Sequence, residues 1–237
     1  MKPNLTTRIS LALPVLITAM VTSSCSTEPP PDATGTTSVA TSTTQAEIFP
    51  YPPLQFRSNI AVPVNEAEAD AATTALKVEV AINNYIVSED ESYLSDIYDN
   101  VSEEGRPYIG IPGNLIPETG GETYRAVSIE QKSGAQWVIT VCDYNTPGVY
   151  EMGDDGELTL STPTDSYSPI RYTVAMTTEA SASGQKASTP RPLVVDQSTE
   201  EFAELPGQQN DLARQTCEPF RPDPYIQEPP ERLPAEK

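Results

Sequence analysis

Residues 135–160 read AQWVITVCDYNTPGVYEMGDDGELTL, and this stretch decides the fold class. "QWVITVCDY" is dense in β-branched and aromatic residues, which favour a pleated, half-buried strand. Ser133, Gly134 and Ala135 separate it from "TYRAVSIEQK", a run of the same character, so the two read as a hairpin. Downstream, "VYEM" and "LTLS" flank Gly153, Asp154, Asp155 and Gly156, residue types that tolerate positive φ and mark a second turn. "GDDGE" lacks the spaced ligands of a twelve-residue calcium loop and is read as a turn. "IRYTVAMTT" continues the strands, and "PLVVDQS" is taken as a weak last strand beyond the loop "EASASGQKASTPRP".

Upstream the period changes. In "NEAEADAATTALKVEVAINNYIV", Ala67, Ala71, Ala75, Val78, Ile82, Tyr85 and Ile86 recur at three- and four-residue steps, which predicts an amphipathic helix. Asn65 followed by Glu68 has the spacing of a capping box. Ser88 and Glu91 repeat that spacing before Tyr93, Leu94, Ile97, Tyr98 and Val101, one face of a shorter second helix. Helices first and an antiparallel meander after them predict an α+β domain over residues 65–202, with the helices on one face of a curved sheet.

The chain begins differently. Lys2 and Arg8 precede the apolar run Ile9 to Val21, and Thr22, Ser23 and Ser24 follow it, the layout of a secretory signal over residues 1–24. A run of thirteen residues is too short for a spanning helix, which needs about 20. Ser23, Ser24 and Cys25 resemble a bacterial lipobox, which implies cleavage before Cys25 and diacylglycerol on its thiol; Thr22 stands where an aliphatic residue is usual. The plainer alternative is an ordinary cleaved signal that leaves a free thiol. Residues 25–64 contain a Pro, Ser and Thr-rich stretch from Ser26 to Thr44 and then "IFPYPPLQF", read together as a disordered, lipid-anchored tether. Its reach as a flexible coil is on the order of 35 Å. The tail, residues 203–237, has six prolines in its last twenty positions and is expected to be mobile there, as is Ser26 to Thr44.

Composition narrows the chemistry. The net charge is −20, and loss of Lys2 and Arg8 with the signal makes it −22. Such a surface makes nucleic acid and anionic lipid poor partners, since binding to either relies on clustered Lys or Arg, and no nucleic-acid partner is expected. Histidine is absent, which removes Ser-His-Asp and Cys-His nucleophile systems and the common zinc sites. No metal or cofactor is expected. Three cysteines leave one unpaired in an exported chain; with Cys25 acylated, Cys142 and Cys217 are expected to form a disulfide that holds the tail. A redox role would call for Cys-x-x-Cys spacing, which they lack.

Trp137, Cys142, Asp143 and Gly156, preceded by the two helices, resemble the pattern of small exported actinobacterial proteins and lipoproteins with the nuclear-transport-factor-2-like cone fold. The resemblance covers about 100 residues, from near Ala67 to near Thr178. It implies a hollow mouth between sheet and helices, and in the family a late Trp-containing strand closes the sheet before a terminal cysteine. Here Trp137 is the only Trp, so "PLVVDQS" stands in that position, followed by Cys217. Some members place an acid and a tyrosine in the mouth to enolise a ketone. Tyr98 with Asp99, or Asp143 with Tyr144, supply those residue types for an isomerase or dehydratase-like enzyme. The ordinary reading of the same residues is that Asp143 bonds the adjacent turn and Tyr98 packs. The preferred expectation is a non-catalytic lipoprotein on the outer face of the cell membrane that docks another envelope protein or shelters a small apolar ligand.

Overall fold

The computed structural model describes residues 49–106, 117–132, 134–153, 155–161, 167–199, 211–222 and 228–234. Residues 1–48, which hold the expected signal, Cys25 and most of the tether, lie outside the described residues. The described residues belong to one compact unit.

The order of elements is β1 (Gln55–Ile60), α1 (Glu66–Ser88), α2 (Glu91–Asn100), β2 (Glu118–Gln131), β3 (Gln136–Met152), β4 (Leu158–Leu160), β5 (Tyr167–Thr177), β6 (Arg191–Ser198) and α3 (Asp211–Cys217). A 3₁₀ turn, Glu218–Phe220, continues α3. This is the expected α+β class, with α1 and α2 packed on a largely antiparallel six-stranded sheet. Strand order is β1-β2-β3-β5-β6, with β4 paired to β3.

The tether was expected to run to residue 64, but Gln55–Ile60 forms an edge strand parallel to β2, in the register Gln55↔Gly121 to Ile60↔Ala126. The prolines of "IFPYPPLQF" all precede it, and the residues around them are anchored by buried Tyr51 and Leu54. Parallel pairing follows from connectivity. A strand that returns beside itself through a helical crossover runs in its original direction.

Helix α1 begins as its sequence predicts. The Asn65 side chain accepts from the Glu68 N–H at 3.0 Å, and the Glu68 carboxylate accepts from the Asn65 N–H at 2.9 Å. The second cap differs from expectation. Ser88 remains inside α1, and Asp90, with extended backbone, accepts the Ser92 N–H at 2.8 Å. Ala71, Ala75, Val78 and Ile82 of α1 and Ile97 of α2 meet Trp137, Ile139 and Val141 of β3 and Tyr172 and Val174 of β5 in the main core.

Strand β3 is longer than expected, because "NTPG" lies within it and does not interrupt it. The register between β2 and β3 shifts between Gly121 and Thr123, and Gly121 stands opposite Gly148. A side chain could not be accommodated here: a Cβ on Gly120, at φ +97°, would lie 2.0 Å from the Gly148 carbonyl oxygen. Glycine therefore permits the close backbone approach.

The opposite face of the sheet carries a smaller cluster of Val127, Cys142, Tyr144 and Cys217. Cys142 and Cys217 form the expected disulfide. The Tyr144 hydroxyl donates to the Cys217 carbonyl at 2.7 Å, and the Arg125 guanidinium donates to the Phe220 carbonyl at 2.8 Å. The tail is also held further on, contrary to the expectation of a mobile end. The Leu233 N–H donates to the Pro50 carbonyl at 2.8 Å, while Arg232 donates to the Tyr51 hydroxyl at 3.0 Å and to the Gly156 carbonyl at 2.8 Å.

Candidate functional site: a buried carboxyl and tyrosine cluster

Strand alternation puts Trp137, Ile139, Val141 and then Asp143 on the helix-covered face of β3. Asp143 is in direct register with Tyr124 of β2, whose hydroxyl donates to the carboxylate of Glu122 on the same strand. On the far side of β3, Tyr172 of β5 pairs with Ile139 and donates to Glu79, which comes down from α1. Glu79 also accepts from the Asn83 side chain at 2.9 Å, and the Tyr172 hydroxyl accepts from Gln197 of β6 at 3.0 Å. Five elements thus bring carboxyls, phenols and two amides to one region of the helix–sheet interface.

Tyr124 and Tyr172 are among the most deeply buried side chains, and Glu79 is buried with them. Burial disfavours the charged form of each group. It pushes Glu79 above the usual carboxylate range, against the hydrogen bonds from Tyr172 and Asn83. Burial, reinforced by the charges of Glu118 and Glu79, raises Glu122 to about 7 although Tyr124 donates to it. Asp143 is pushed well above its ordinary value by burial and by Glu122, Glu79 and Glu118. Glu118, at the start of β2, is also raised by burial, against a 2.9 Å hydrogen bond from Ser161. Both phenols are pushed well above 10 and stay protonated.

Near neutral pH the cluster therefore contains a Glu122 close to its midpoint and two neutral phenols, while burial favours the protonated form of Asp143. One atom stands apart. Asp143 Oδ1 is enclosed and has no hydrogen-bond partner. Buried polar atoms are nearly always satisfied, so an orphaned carboxyl oxygen in an otherwise paired cluster identifies an unfilled interaction. No group of three carboxylates is placed to hold a metal ion among the described residues.

The candidates read from the sequence divide between this region and others. Asp143 belongs to the cluster but does not bond the adjacent turn. Tyr144, its neighbour, lies on the opposite face against Cys217, because successive strand residues point apart. Tyr98 packs half-buried on the main core, with the Arg106 guanidinium 4.5 Å from its ring. The Asp99 carboxylate accepts from the Ser183 hydroxyl at 2.5 Å and its carbonyl accepts from Arg191 at 3.2 Å, contacts that tie α2 to the approach to β6. The isomerase pairs expected from adjacency are thus not assembled, and Asp143 has Tyr124 as its phenol neighbour.

Glu79, Glu122, Tyr124, Tyr172 and Gln197 were not singled out from the sequence. One signal was available, since Glu79 interrupts the apolar face of α1 between Ala75 and Ile82, where an acid has to be buried.

Two surface hollows lie elsewhere. One of about 420 Å³ sits between β1, α1 and α2, lined in part by Asn59, Leu76, Lys77 and Tyr93. Another of about 560 Å³ includes Gln136, Met176 and Val195. Neither is lined by the carboxyls or tyrosines of the cluster, so the cluster and these hollows do not coincide. No protein-family model matches the chain, and no curated protein matches it.

Proposed function

We propose that this chain is an exported lipoprotein of the cell envelope whose α+β domain, of the nuclear-transport-factor-2-like cone type, is a non-catalytic module that takes a small ligand at the carboxyl and tyrosine cluster. The observation that carries this reading is Asp143 Oδ1, enclosed and unpartnered beside groups that are hydrogen-bonded to one another. The disulfide supports an extracytoplasmic setting, where thiols are oxidised. Anchoring through Cys25 fits the charge: a mature chain of −22 is repelled by anionic headgroups, and two acyl chains hold a protein stably where one does not.

The isomerase or dehydratase-like alternative has the placing of Asp143 opposite Tyr124 in its favour. Against it, both phenol protons are already given to Glu122 and Glu79, so neither is free to stabilise a developing oxyanion.

Two measurements test the proposal. Cys25→Ser should abolish metabolic lipid labelling and membrane retention; unchanged labelling refutes the anchor. Protein taken from its native envelope should retain a small molecule detectable by native mass spectrometry, and Asp143→Leu should lose it. Retention undiminished in that variant refutes the assigned site. Exchange of ketone α-protons with deuterated water, catalysed by wild type and lost in Asp143→Asn, would replace the binding reading with the enzyme.

A further inference from the structure

We propose that the outer edge of β1, with the hollow between β1, α1 and α2, is a docking edge for an extended segment of a basic partner protein, which adds to the sheet as a further strand. The inference is independent of the reading of the carboxyl and tyrosine cluster.

Strand β1 ends the sheet, and β2 is its one neighbour in the strand order. The pairing is parallel, with Ile60 opposite Ala126, and the ladder continues as the Ala61 N–H donates to the Ala126 carbonyl at 2.9 Å. In a parallel ladder, residues that bond the neighbour alternate with residues whose N–H and C=O point away from it. Arg57, Asn59 and Ala61 thus bond β2, and Phe56, Ser58 and Ile60 direct their backbone groups outward. Among the described residues no strand takes up those groups. The Ile60 carbonyl meets the Asn59 side-chain amide at 3.4 Å, a long contact supplied by the strand itself. The far edge of the sheet differs. There Val101 bridges Val194 of β6, and the Ser102 N–H donates to the Val194 carbonyl at 2.8 Å. An uncovered row of backbone donors and acceptors is a template for another extended chain.

That edge also borders the hollow of about 420 Å³. Phe56 and Ile60 pack on the main core, so Ser58 between them faces the helices as well and leaves space beside α1. Ile60, Leu76, Val80 and Ala81 give the hollow an apolar lining, and alternate side chains of an added strand would project into it.

Charge selects the occupant. The chain has 34 acidic and 14 basic residues, so a second copy is repelled and a basic segment is attracted. At the hollow, Asp96 lies in the lining and exposed Asp70 lies one turn before Thr73, beside a single lining cation, Lys77. Addition along a six-residue strand buries less surface than a standard interface, which suits a transient contact.

The test uses the full chain, detergent-solubilised, and a rhodamine-labelled peptide, Lys-Val-Thr-Val-Lys-Val amide. One control peptide has Glu for both Lys, and another has Pro for Thr and for the Val after it. In fluorescence anisotropy the basic peptide should bind at least about tenfold more tightly than either control. With that peptide at about ten times its Kd, hydrogen exchange should slow about tenfold at the Ser58 and Ile60 amides and stay unchanged at Asn59, which already bonds β2. Ser58→Pro removes one outward N–H and no bond to β2, so it should weaken the peptide at least about tenfold and keep the thermal transition. Should Ser58→Pro fail to fold, Thr73→Trp, which fills the hollow from an exposed position on α1, is expected to weaken binding as much.

Equal binding of the acidic peptide, weakened by Ser58→Pro, overturns the basic partner and leaves the docking edge standing. Binding of the basic peptide that is insensitive to both variants, or matched by the Pro-containing control, is attraction to the acidic surface and overturns the assignment. Slow exchange at Ser58 and Ile60 in the protein alone also overturns it, since the edge is then already paired; a dimer in sedimentation would identify a second copy as the occupant. Failure of the basic peptide to bind at about 1 mM overturns the docking edge itself.

Discussion

The response of stability to pH should be set largely by Glu122. An ordinary glutamate releases its proton near 4.5, whereas burial and the charges of Glu118 and Glu79 hold Glu122 to about 7 in the folded protein. The folded state therefore binds this proton more tightly than the unfolded chain. Its contribution is fully present below pH 4.5 and is lost as pH rises through 7. At about 1.36 kcal/mol per tenfold change in proton affinity, the full difference is about 3.4 kcal/mol, which the partial exposure of Glu122 reduces to about 2 kcal/mol. Glu79, Glu118 and Asp143 are raised as well and act in the same direction. Asp90, lowered by hydrogen bonds from Ser92, acts in the opposite direction. Thermal unfolding should therefore be highest near pH 5 and fall toward pH 8, with Glu122 accounting for about 4–8 °C of that fall. Glu122→Gln resembles the protonated acid and keeps an acceptor for the Tyr124 hydroxyl, so it should flatten the profile and leave stability at pH 5 nearly unchanged. Differential scanning calorimetry of wild type and variant from pH 5 to 8 reads this. General charge repulsion cancels between the two curves, so parallel profiles would refute the reasoning.

Tyr172→Phe should cost about 2 kcal/mol in urea denaturation, because Glu79 loses a donor and Gln197 an acceptor in a buried setting; adding Glu79→Met should recover part of the loss, since no unsatisfied acid then remains. Replacing Cys142 and Cys217 by serine should lower stability by about 4.5 kcal/mol in the chain-entropy limit for a separation of 75 residues. Hydrogen exchange should then show α3 released from the outer face of the sheet, while free thiols at both positions in wild-type peptide maps would contradict the staple. Gly120→Ala should destabilise by about 3 kcal/mol, through positive φ and collision with the Gly148 carbonyl, and equal stability in calorimetry would count against that geometry. Arg232→Ala should free residues 228–234 to proteolysis without altering the thermal transition of the sheet by more than about 1 °C, since its bonds to Tyr51 and Gly156 lie at the periphery.

The amino-acid sequence by itself determined what depends on near neighbours. The three- and four-residue steps of Ala71, Ala75, Val78 and Ile82 make a helix with one apolar face, and Asn65 with Glu68 starts it. The β-branched run through Cys142 and the turns at Gly134 and Gly156 give the strands and hairpins, and from their order the α+β class follows. The pairing of Cys142 with Cys217 was legible by elimination, because Cys25 has another place in the expected reading. What the sequence did not determine is whatever depends on segments distant along the chain. Strand β1 is too short and exposed to announce itself, and it exists because the edge of β2 accepts its backbone. The tail is proline-rich, but Arg232 finds Tyr51 181 residues away. The carboxyl and tyrosine cluster depends most on this. Tyr172 reaches Glu79 across 93 residues, and Asp143 meets Tyr124 only once the strands pair in register. Periodicity says which face of an element is turned inward. Tertiary packing alone decides which inward-facing groups meet, and the shared loss of solvent then raises the proton affinities of four carboxyls together.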